Sequence, residues 1–201
     1  ISLLNENEDP VLLILSADHL IEDIDEFHNS IEIANKIAEQ GKIVSLGVMP
    51  SSPETGYGYI QLDKSSSQSS SKVLKFIEKP DDILAKKMFD AGNYLWNSGI
   101  FMFRAKDMIS AFEFYAKGII SKVIKSVDQS LEELSFTYLG KEYWRGLEEI
   151  SIDYAIMERA KNLVAIPYHS GWSDLGNWDS VWRESKQDQY GVVLSKNAHA
   201  I

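Results

Sequence analysis

Apolar and polar positions alternate in blocks over the first fifty residues. Residues 11 to 15 read VLLIL, a continuous aliphatic run typical of a strand buried on both faces of a parallel sheet. Apolar residues then recur at helical spacing from Phe27 to Ala38, with Asp23 or Asp25 as N-cap and Gly41 beyond the end. Residues 42 to 48, KIVSLGV, predict a second strand. The order strand, helix, strand favours a parallel sheet with a crossover helix.

The middle of the chain predicts an antiparallel excursion over residues 56 to 78. Turn chemistry at residues 50 to 58 precedes a strand, YIQLD, and a second strand, KVLKFIEK, follows a serine-rich stretch at residues 65 to 72. We interpret the serine-rich stretch as a flexible hairpin tip and not as a domain boundary.

The remaining elements complete an α/β pattern. Helices are predicted at residues 80 to 92, 106 to 117, 151 to 160 and 177 to 185, and strands at residues 99 to 105 and 163 to 168. Residues 118 to 148 have mixed periodicity and give no assignment. We therefore expect one α/β domain over residues 1 to 201, with a mostly parallel sheet, helices on both faces and the antiparallel excursion.

Composition and charge exclude several classes of protein. A formal charge of −10 opposes binding to a nucleic acid, although placed cations and a metal ion can still hold a small phosphorylated ligand. The absence of cysteine excludes disulfides and thiolate metal sites. The aliphatic runs are too short to span a bilayer. We expect a cytoplasmic protein without nucleic acid or membrane partners.

Two aspartates stand where a ligand site is expected. Asp18 follows the first strand, and ligands of open α/β sheets bind beyond the carboxyl ends of strands. Asp174 lies between two glycines and two tryptophans in GWSDLGNW, and two carboxylates can hold one Mg²⁺ through oxygen ligands. A capping or turn role is the alternative for both residues.

Three further motifs carry polar groups suited to a sugar phosphate. Glu78 in FIEKP can accept hydroxyl hydrogen bonds, and Lys79 offers a point charge to a phosphate. Asn97 in YLWNSGIF can both donate to and accept from a hydroxyl. Gly58 in TGYGYI lets the backbone approach a ligand closely. Each motif alone is also compatible with an ordinary turn.

Taken together and in order, ADH, TGYGYI, FIEKP, YLWNSGIF, SIDYAIME and GWSDLGNW resemble the sugar-nucleotide pyrophosphorylase family, and within it the mannose-1-phosphate guanylyltransferases. The resemblance runs from about residue 11 to residue 183. It implies a Rossmann-like nucleotidyltransferase fold and a reaction in which GTP and mannose 1-phosphate give GDP-mannose and pyrophosphate. It also implies a role in polysaccharide biosynthesis.

The resemblance assigns roles to single residues. Asp18 and Asp174 match the pair that holds the catalytic Mg²⁺, and Lys79 matches a contact near the sugar phosphate. The positions that match sugar contacts are Gly58, Glu78, Asn97 and Asp153. We therefore expect Mg²⁺ as cofactor, GTP and mannose 1-phosphate as partners, and leave a homo-oligomer open.

The chain also departs from the family pattern. It lacks the glycine-rich loop, with its Arg and Lys, that holds the triphosphate in this family, so we expect the N-terminal part of the fold to be missing. Some relatives continue into a mannose-6-phosphate isomerase domain, but the four histidines here have no ligand-like spacing. Two alternatives follow: a non-catalytic sugar-nucleotide-binding or regulatory subunit, and a pyrophosphorylase for another sugar 1-phosphate.

Overall fold

The bounds of the elements come from a computed structural model, which describes residues 1–2, 8–63, 69–195 and 198. The strands are β1 Val11–Ile14, β2 Leu20–Ile21, β3 Ile43–Val48, β4 Tyr59–Leu62, β5 Ser71–Ile77, β6 Tyr94–Arg104, β7 Leu131–Glu133, β8 Phe136–Tyr138, β9 Leu163–Tyr168 and β10 Trp172–Ser173. The helices are α1 Ile24–Ala38, α2 Asp82–Ala91, α3 Ala105–Tyr115, α4 Lys117–Asp128, α5 Lys141–Trp144, a π-helix Asp153–Met157 and α6 Trp178–Glu184.

The main sheet has the strand order β1, β6, β3, β9, β5, β4, with β4 also pairing β6. Strands β1, β3, β4 and β9 run in one direction and β5 and β6 in the other. The expectation of a mostly parallel sheet holds for strand direction but is wrong for strand pairing, because β6 enters between β1 and β3. Within the described ranges, β3 and β9 form the parallel pair, and the other neighbours in this sheet are antiparallel.

Strand β1 is an edge strand of the main sheet. It pairs with β6 on one side, and no strand of the described residues covers its other side. Both faces of β1 pack against apolar layers, Leu12 on one side and Val11 and Leu13 on the other, and all three are partly buried. Ile14 is 44% exposed and Leu15, just after the strand, is 49% exposed, so the prediction of burial on both faces holds only in part. A continuous aliphatic run indicates that both faces of a strand are apolar, but it does not indicate whether both edges of the strand pair with other strands.

Two apolar layers cover the sheet, as expected for helices on both faces. Alternate residues of β3 point to opposite layers: Val44 packs with Ala34 and Ala38 of α1, whereas Ile43 packs with α3 and the π-helix. Asp23 caps α1 by accepting the Glu26 N–H, which confirms one of the two predicted caps. The excursion over residues 56 to 78 is the antiparallel pair β4 and β5.

Several local expectations are corrected. The predicted helix over residues 151 to 160 is a five-residue π-helix, and β6 begins five residues earlier than predicted, so that it includes the YLWNSG motif. The unassigned stretch from 118 to 148 contains α4, the β7–β8 hairpin and α5. Residues 65–68 of the serine-rich tip lie outside the described residues. None of the described helices is both long and apolar enough to cross a membrane.

Candidate active site

A polar cavity of about 250 Å³ opens where β1, β4, β5, β6, β10 and the π-helix converge. Its walls come from the segments after β1 and β10, the segment before β4, the middle of β6 and the end of β5. The lining residues are Ser16, Asp18, His19, Gly56, Tyr57, Gly58, Glu78, Asn97, Ser98, Gly99, Asp153, Trp172, Asp174 and Gly176. The topology thus brings together side chains that are as much as 158 residues apart, from Ser16 to Asp174.

One part of the cavity contains the carboxylates of Glu78 and Asp153 and the amide of Asn97. The Asn97 Nδ2 donates to Asp153 Oδ1 at 3.1 Å, while Asn97 Oδ1 accepts the Gly99 N–H at 3.1 Å. The amide is therefore held in one orientation by its two neighbours. The Glu78 Oε2 is buried and accepts no hydrogen bond from the described residues. A buried acceptor without a donor is costly, so this oxygen is suited to a ligand hydroxyl.

Burial changes the acidity of both carboxylates in this group. Burial, with the neighbouring charge of Asp153, raises the pKa of Glu78 to about 7, although Lys79 acts in the opposite direction. Burial also raises the pKa of Asp153, against the hydrogen bond from Asn97. Perturbed carboxylates in a cleft are typical of functional sites. Glu78 in particular titrates near neutral pH and can either donate or accept a hydrogen bond there.

Gly58 makes this arrangement sterically feasible. A Cβ at position 58 would lie 2.3 Å from Glu78 Oε2 and 3.2 Å from the Asn97 Cβ. The Gly58 carbonyl also accepts the Asn97 N–H at 2.8 Å, which couples β4 to β6 at the cavity. A side chain at this position would displace the Glu78 carboxylate, so glycine is required for close packing and not for backbone flexibility.

The other part of the cavity contains Asp18 and Asp174, which both lie close enough to His19 to influence its charge. Burial lowers the pKa of His19, and the two aspartates act against that shift. Asp174 Oδ1 accepts hydrogen bonds from Tyr57, Gly176 N and Ser180. Asp174 Oδ2 accepts none from the described residues. One oxygen therefore fixes the carboxylate and the other stays available.

Aromatic side chains position the second aspartate. The Tyr57 hydroxyl donates to Asp174 Oδ1 at 3.3 Å, and its ring meets Trp96 and Trp172 edge to face at 5.1 and 5.4 Å. Burial and the Asp174 charge raise the pKa of Tyr57 to about 12, so the hydroxyl keeps its proton at physiological pH. Trp172 also packs against His19, with ring centroids 5.3 Å apart.

Two residues beside the cavity have positive φ angles. Lys79 has φ of 44° directly after Glu78, and Leu175 has φ of 44° directly after Asp174. Non-glycine residues rarely adopt this conformation, and such strain is concentrated at functional sites. Each strained residue turns the chain immediately after a carboxylate of the cavity.

The structure brings six of the seven predicted site residues to one cavity. These are Asp18, Gly58, Glu78, Asn97, Asp153 and Asp174. Lys79 is not among the lining residues, although its charge lowers the pKa of both Glu78 and Asp153. Their roles toward ligands stay predictions. Sequence reasoning did not single out Tyr57 or His19 as site residues, although both stand inside the quoted motifs.

The carboxylate chemistry also limits what kind of metal site the cavity offers. Across the described ranges, no group of three or more His, Asp or Glu side chains is arranged to hold a metal ion. A metal bound here would therefore depend on two carboxylates together with waters or ligand oxygens, which is the usual coordination of Mg²⁺ beside phosphates.

Comparison with known proteins agrees with the motifs. The Nucleotidyl transferase family model matches residues 1–191. A mannose-1-phosphate guanylyltransferase of Salmonella typhimurium is 39% identical over 197 residues, which cover 97% of this chain and 41% of that protein. The xanthan biosynthesis protein XanB of Xanthomonas campestris is 38% identical over 191 residues, covering 95% of this chain and 39% of that protein. The chain thus spans about two fifths of the length of these relatives.

The fold has a match among solved structures. A crystal structure described as a mannose-1-phosphate geranyltransferase, from Thermus thermophilus, superposes with a TM-score of 0.77 at 31% identity. The superposition covers 90% of this chain and 51% of that one. The mixed sheet with helices on both faces is therefore shared with that protein over nearly all of the chain.

Proposed function

Since this chain belongs to the nucleotidyl transferase family, we propose that it binds mannose 1-phosphate and the catalytic metal in a mannose-1-phosphate guanylyltransferase. In that reaction GTP and mannose 1-phosphate give GDP-mannose and pyrophosphate. One observation carries the proposal: a carboxylate pair, Asp18 and Asp174, shares a cavity with a group suited to hydroxyls, formed by Glu78, Asn97 and Asp153. The names of the relatives support mannose as the sugar.

The sugar is held by the group around Asn97. The Glu78 Oε2, which is buried and accepts no hydrogen bond within the described ranges, accepts one from a sugar hydroxyl. Asn97 and Asp153 are already fixed by their mutual hydrogen bond, so they meet the sugar with little loss of side-chain entropy. The close approach of Gly58 to Glu78 leaves no room for a side chain between the sugar and the strand.

Asp18 and Asp174 hold Mg²⁺. Asp174 Oδ2 accepts no hydrogen bond from the residues that the structure describes, whereas Oδ1 is fixed by Tyr57, Gly176 and Ser180. Carboxylate oxygens are the protein ligands that Mg²⁺ prefers. When bound, the ion supplies charge that screens the repulsion between two phosphorylated substrates and stabilises the transition state.

The protein contributes alignment and not a nucleophile. An oxygen of the mannose 1-phosphate attacks the α-phosphorus of GTP in line, that phosphorus forms the new P–O bond, and the bond to pyrophosphate breaks. Lys79 offers its positive charge to the sugar phosphate, and its electrostatic effect on Glu78 and Asp153 supports this role. GDP-mannose is a donor of mannosyl units, and we propose surface polysaccharide synthesis as its use.

Calorimetric titration of the chain with mannose 1-phosphate in MgCl₂ tests this function. We expect binding that requires Mg²⁺, weakened about tenfold or more by Glu78→Gln and by Asp174→Asn. Glu113→Gln, on the exposed side of α3, is the matched control and should bind like the wild type. Equal binding of glucose 1-phosphate would indicate a pyrophosphorylase for another sugar. Unaltered binding by both cavity variants would show that Glu78 and Asp174 do not contact the ligand or its metal.

A further inference from the structure

The cavity of the candidate active site carries mainly negative charge. Its lining includes four carboxylates, from Asp18, Glu78, Asp153 and Asp174, whereas none of the described lining residues is Lys or Arg. A phosphate group adds further negative charge to such a site. One divalent ion can offset part of this charge, and sites for phosphorylated substrates commonly add Lys or Arg side chains to the metal. The cations around the cavity are therefore candidates for contact with a phosphate.

Two cations act on the cavity from outside its lining, each on a different part. Burial raises the pKa of Glu78 to about 7, and the charge of Lys79 acts against that shift. Burial also raises the pKa of Tyr57 to about 12, and there the charge of Arg183 acts in the opposite direction. Because the Tyr57 hydroxyl donates to Asp174, Lys79 acts on the part around Glu78 and Arg183 on the part around Asp174.

Helix α6 directs Arg183 toward Asp174. Ser180 is fully buried, and its hydroxyl donates to Asp174 Oδ1 at 3.4 Å, while its N–H donates to Asn177 Oδ1 at 2.8 Å. Residues at positions i and i+3 share one face of an α-helix. Arg183 stands at that spacing from Ser180, so its side chain leaves α6 on the side that contacts Asp174.

The far end of the Arg183 side chain lies beside the loop that precedes β4. Its Nη1 is 3.9 Å from Glu54 Oε1. Residues 56 to 58 of the same loop line the cavity, and the Tyr59 hydroxyl fixes the loop by donating to the Glu54 carbonyl at 2.8 Å. The guanidinium group therefore lies between α6 and the loop that forms one wall of the cavity.

The ion pair between Arg183 and Glu54 is weak and can be exchanged. The distance of 3.9 Å is long for a charge-assisted hydrogen bond, and the two side chains are 51% and 39% exposed. Exposed pairs of this kind contribute little to stability. Glu54 Oε1 also accepts the Ser52 hydroxyl at 3.1 Å, so this carboxylate keeps a partner when Arg183 leaves it. A phosphate offers several oxygens that an arginine can contact through two parallel hydrogen bonds.

We propose that Arg183 exchanges Glu54 for the ligand and binds a phosphate group held by the metal ion at Asp174. Resting on the proposed function, this role adds a second cation to the site besides Lys79. The phosphate belongs either to mannose 1-phosphate or to the pyrophosphate part of GTP, which present the same kind of oxygens to a guanidinium group. Arg183 thus offsets the repulsion between the phosphate and the cavity carboxylates on the side of Asp174.

Calorimetric titration of the natural protein that carries this chain tests the proposal, with mannose 1-phosphate and with inorganic pyrophosphate, each in MgCl₂. Arg183→Ala should lower the affinity for one or both ligands about tenfold. Arg183→Lys, which keeps the charge but not the planar fork, should recover part of the loss. Arg145→Ala is the matched control, because Arg145 is exposed directly after α5 and lies outside the cavity.

The two ligands separate the sources of the phosphate. A loss for mannose 1-phosphate alone assigns Arg183 to the sugar phosphate, and a loss for pyrophosphate alone assigns it to the phosphates of GTP. Wild-type protein that binds pyrophosphate but not mannose 1-phosphate would contradict the proposed function, while the pyrophosphate affinity of Arg183→Ala would still decide the role of Arg183. Unchanged affinity of Arg183→Ala for both ligands, an equal loss in Arg145→Ala, or no binding of either ligand by the wild type would overturn the proposal.

Glu54→Gln separates contact with the ligand from a structural role of the ion pair. This variant loses the ion pair but keeps a side chain that can accept from Ser52, so Arg183 no longer has to leave a carboxylate. We expect phosphate affinity equal to or above that of the wild type, and a urea midpoint close to that of the wild type. An affinity decrease as large as in Arg183→Ala would show that the pair acts by holding the loop, and would contradict direct contact.

Discussion

The two carboxyl oxygens of Asp174 differ in their surroundings. Oδ1 accepts three hydrogen bonds, whereas Oδ2 accepts none from the described part of the chain. Gly176 makes room beside the free oxygen, since a Cβ there would lie 3.1 Å from Oδ2. The carboxylate is thus oriented before any ligand arrives, which reduces the entropy cost of holding a metal.

Loss of the Tyr57 hydroxyl should weaken that orientation. In Tyr57→Phe the bond to Asp174 Oδ1 is absent while the ring contacts with Trp96 and Trp172 remain. We expect Mn²⁺ affinity, measured by electron paramagnetic resonance as a substitute for Mg²⁺, to fall by about 3- to 10-fold.

The matched control for this prediction is Tyr59→Phe. The Tyr59 hydroxyl donates at 2.8 Å to the carbonyl of Glu54 and not to a carboxylate of the cavity. Its loss should lower stability without changing Mn²⁺ affinity. An equal decrease in both variants would assign the effect to general loosening of the fold.

Glu78 should make folding stability depend on pH. The unfolded carboxyl ionises near its ordinary pKa of 4.5, whereas the folded one keeps its proton until about pH 7. The folded state therefore loses stability as pH rises from about 4.5 to about 7. Glu78→Gln is neutral at every pH and lacks this loss. Its free energy of unfolding relative to wild type should rise by about 1–2 kcal/mol between pH 5 and pH 8, allowing for partial solvation.

Urea denaturation at the two pH values measures this difference, with Glu113→Gln as control. Glu113 lies on the exposed side of α3, away from the cavity. A pH-independent difference between wild type and Glu78→Gln would show that the Glu78 carboxyl is better solvated than its surroundings indicate.

At the scale of elements, the close approach of β4, β5 and β6 determines how Glu78, Asn97 and Asp153 are arranged in the cavity. Gly58→Ala places a methyl group 2.3 Å from Glu78 Oε2, so the flexible end of Glu78 must move. We expect mannose 1-phosphate affinity to fall about tenfold or more, with a small effect on stability. Gly118→Ala, in the first turn of α4 with nothing within 4 Å and outside the cavity, should bind normally. Titration calorimetry of both variants decides, and equal affinities would contradict this geometry.

Packing between β3 and β6 has less freedom to adjust, because the neighbouring side chain is fully buried. A Cβ at Gly47 would lie 2.5 Å from Leu95 Cδ1 and 2.8 Å from Leu95 Cβ, in the fully buried core. Gly47→Ala should therefore destabilise the fold by about 1–3 kcal/mol through overpacking.

Gly118→Ala provides a control of opposite sign. Gly118 lies in the first turn of α4 with nothing within 4 Å, and alanine favours helix there by about 0.5 kcal/mol. Urea denaturation of both variants measures the difference. If Gly47→Ala proves as stable as the wild type, the strands are further apart than described.

The elements also show what the sequence can predict. Helix α1 and strand β9 lie where periodicity and caps place them, because those signals are local. The pairing of β6 between β1 and β3, the edge position of β1 and the π-helix at Asp153 depend on contacts between distant segments. Local sequence patterns do not predict contacts between distant segments. Motifs predicted which residues share the cavity, but the role of Tyr57 required its hydrogen bond to Asp174.

At the scale of the whole molecule, an acidic chain is proposed to bind two anionic substrates. The formal charge of −10 repels both phosphates at a distance, so local groups must outweigh the overall field. The cavity unites carboxylates that can hold a divalent cation, with Lys79 nearby. Under the proposed function, binding of the phosphates would therefore depend on the metal.

Release of pyrophosphate from GTP is the most direct test of this account. The natural protein that carries this chain should release pyrophosphate only when GTP, mannose 1-phosphate and Mg²⁺ are all present. Asp174→Asn should abolish that release while its circular dichroism spectrum and urea midpoint stay close to those of the wild type. Release without mannose 1-phosphate, full activity of Asp174→Asn, or no release with any combination of sugar phosphate and nucleotide would contradict it.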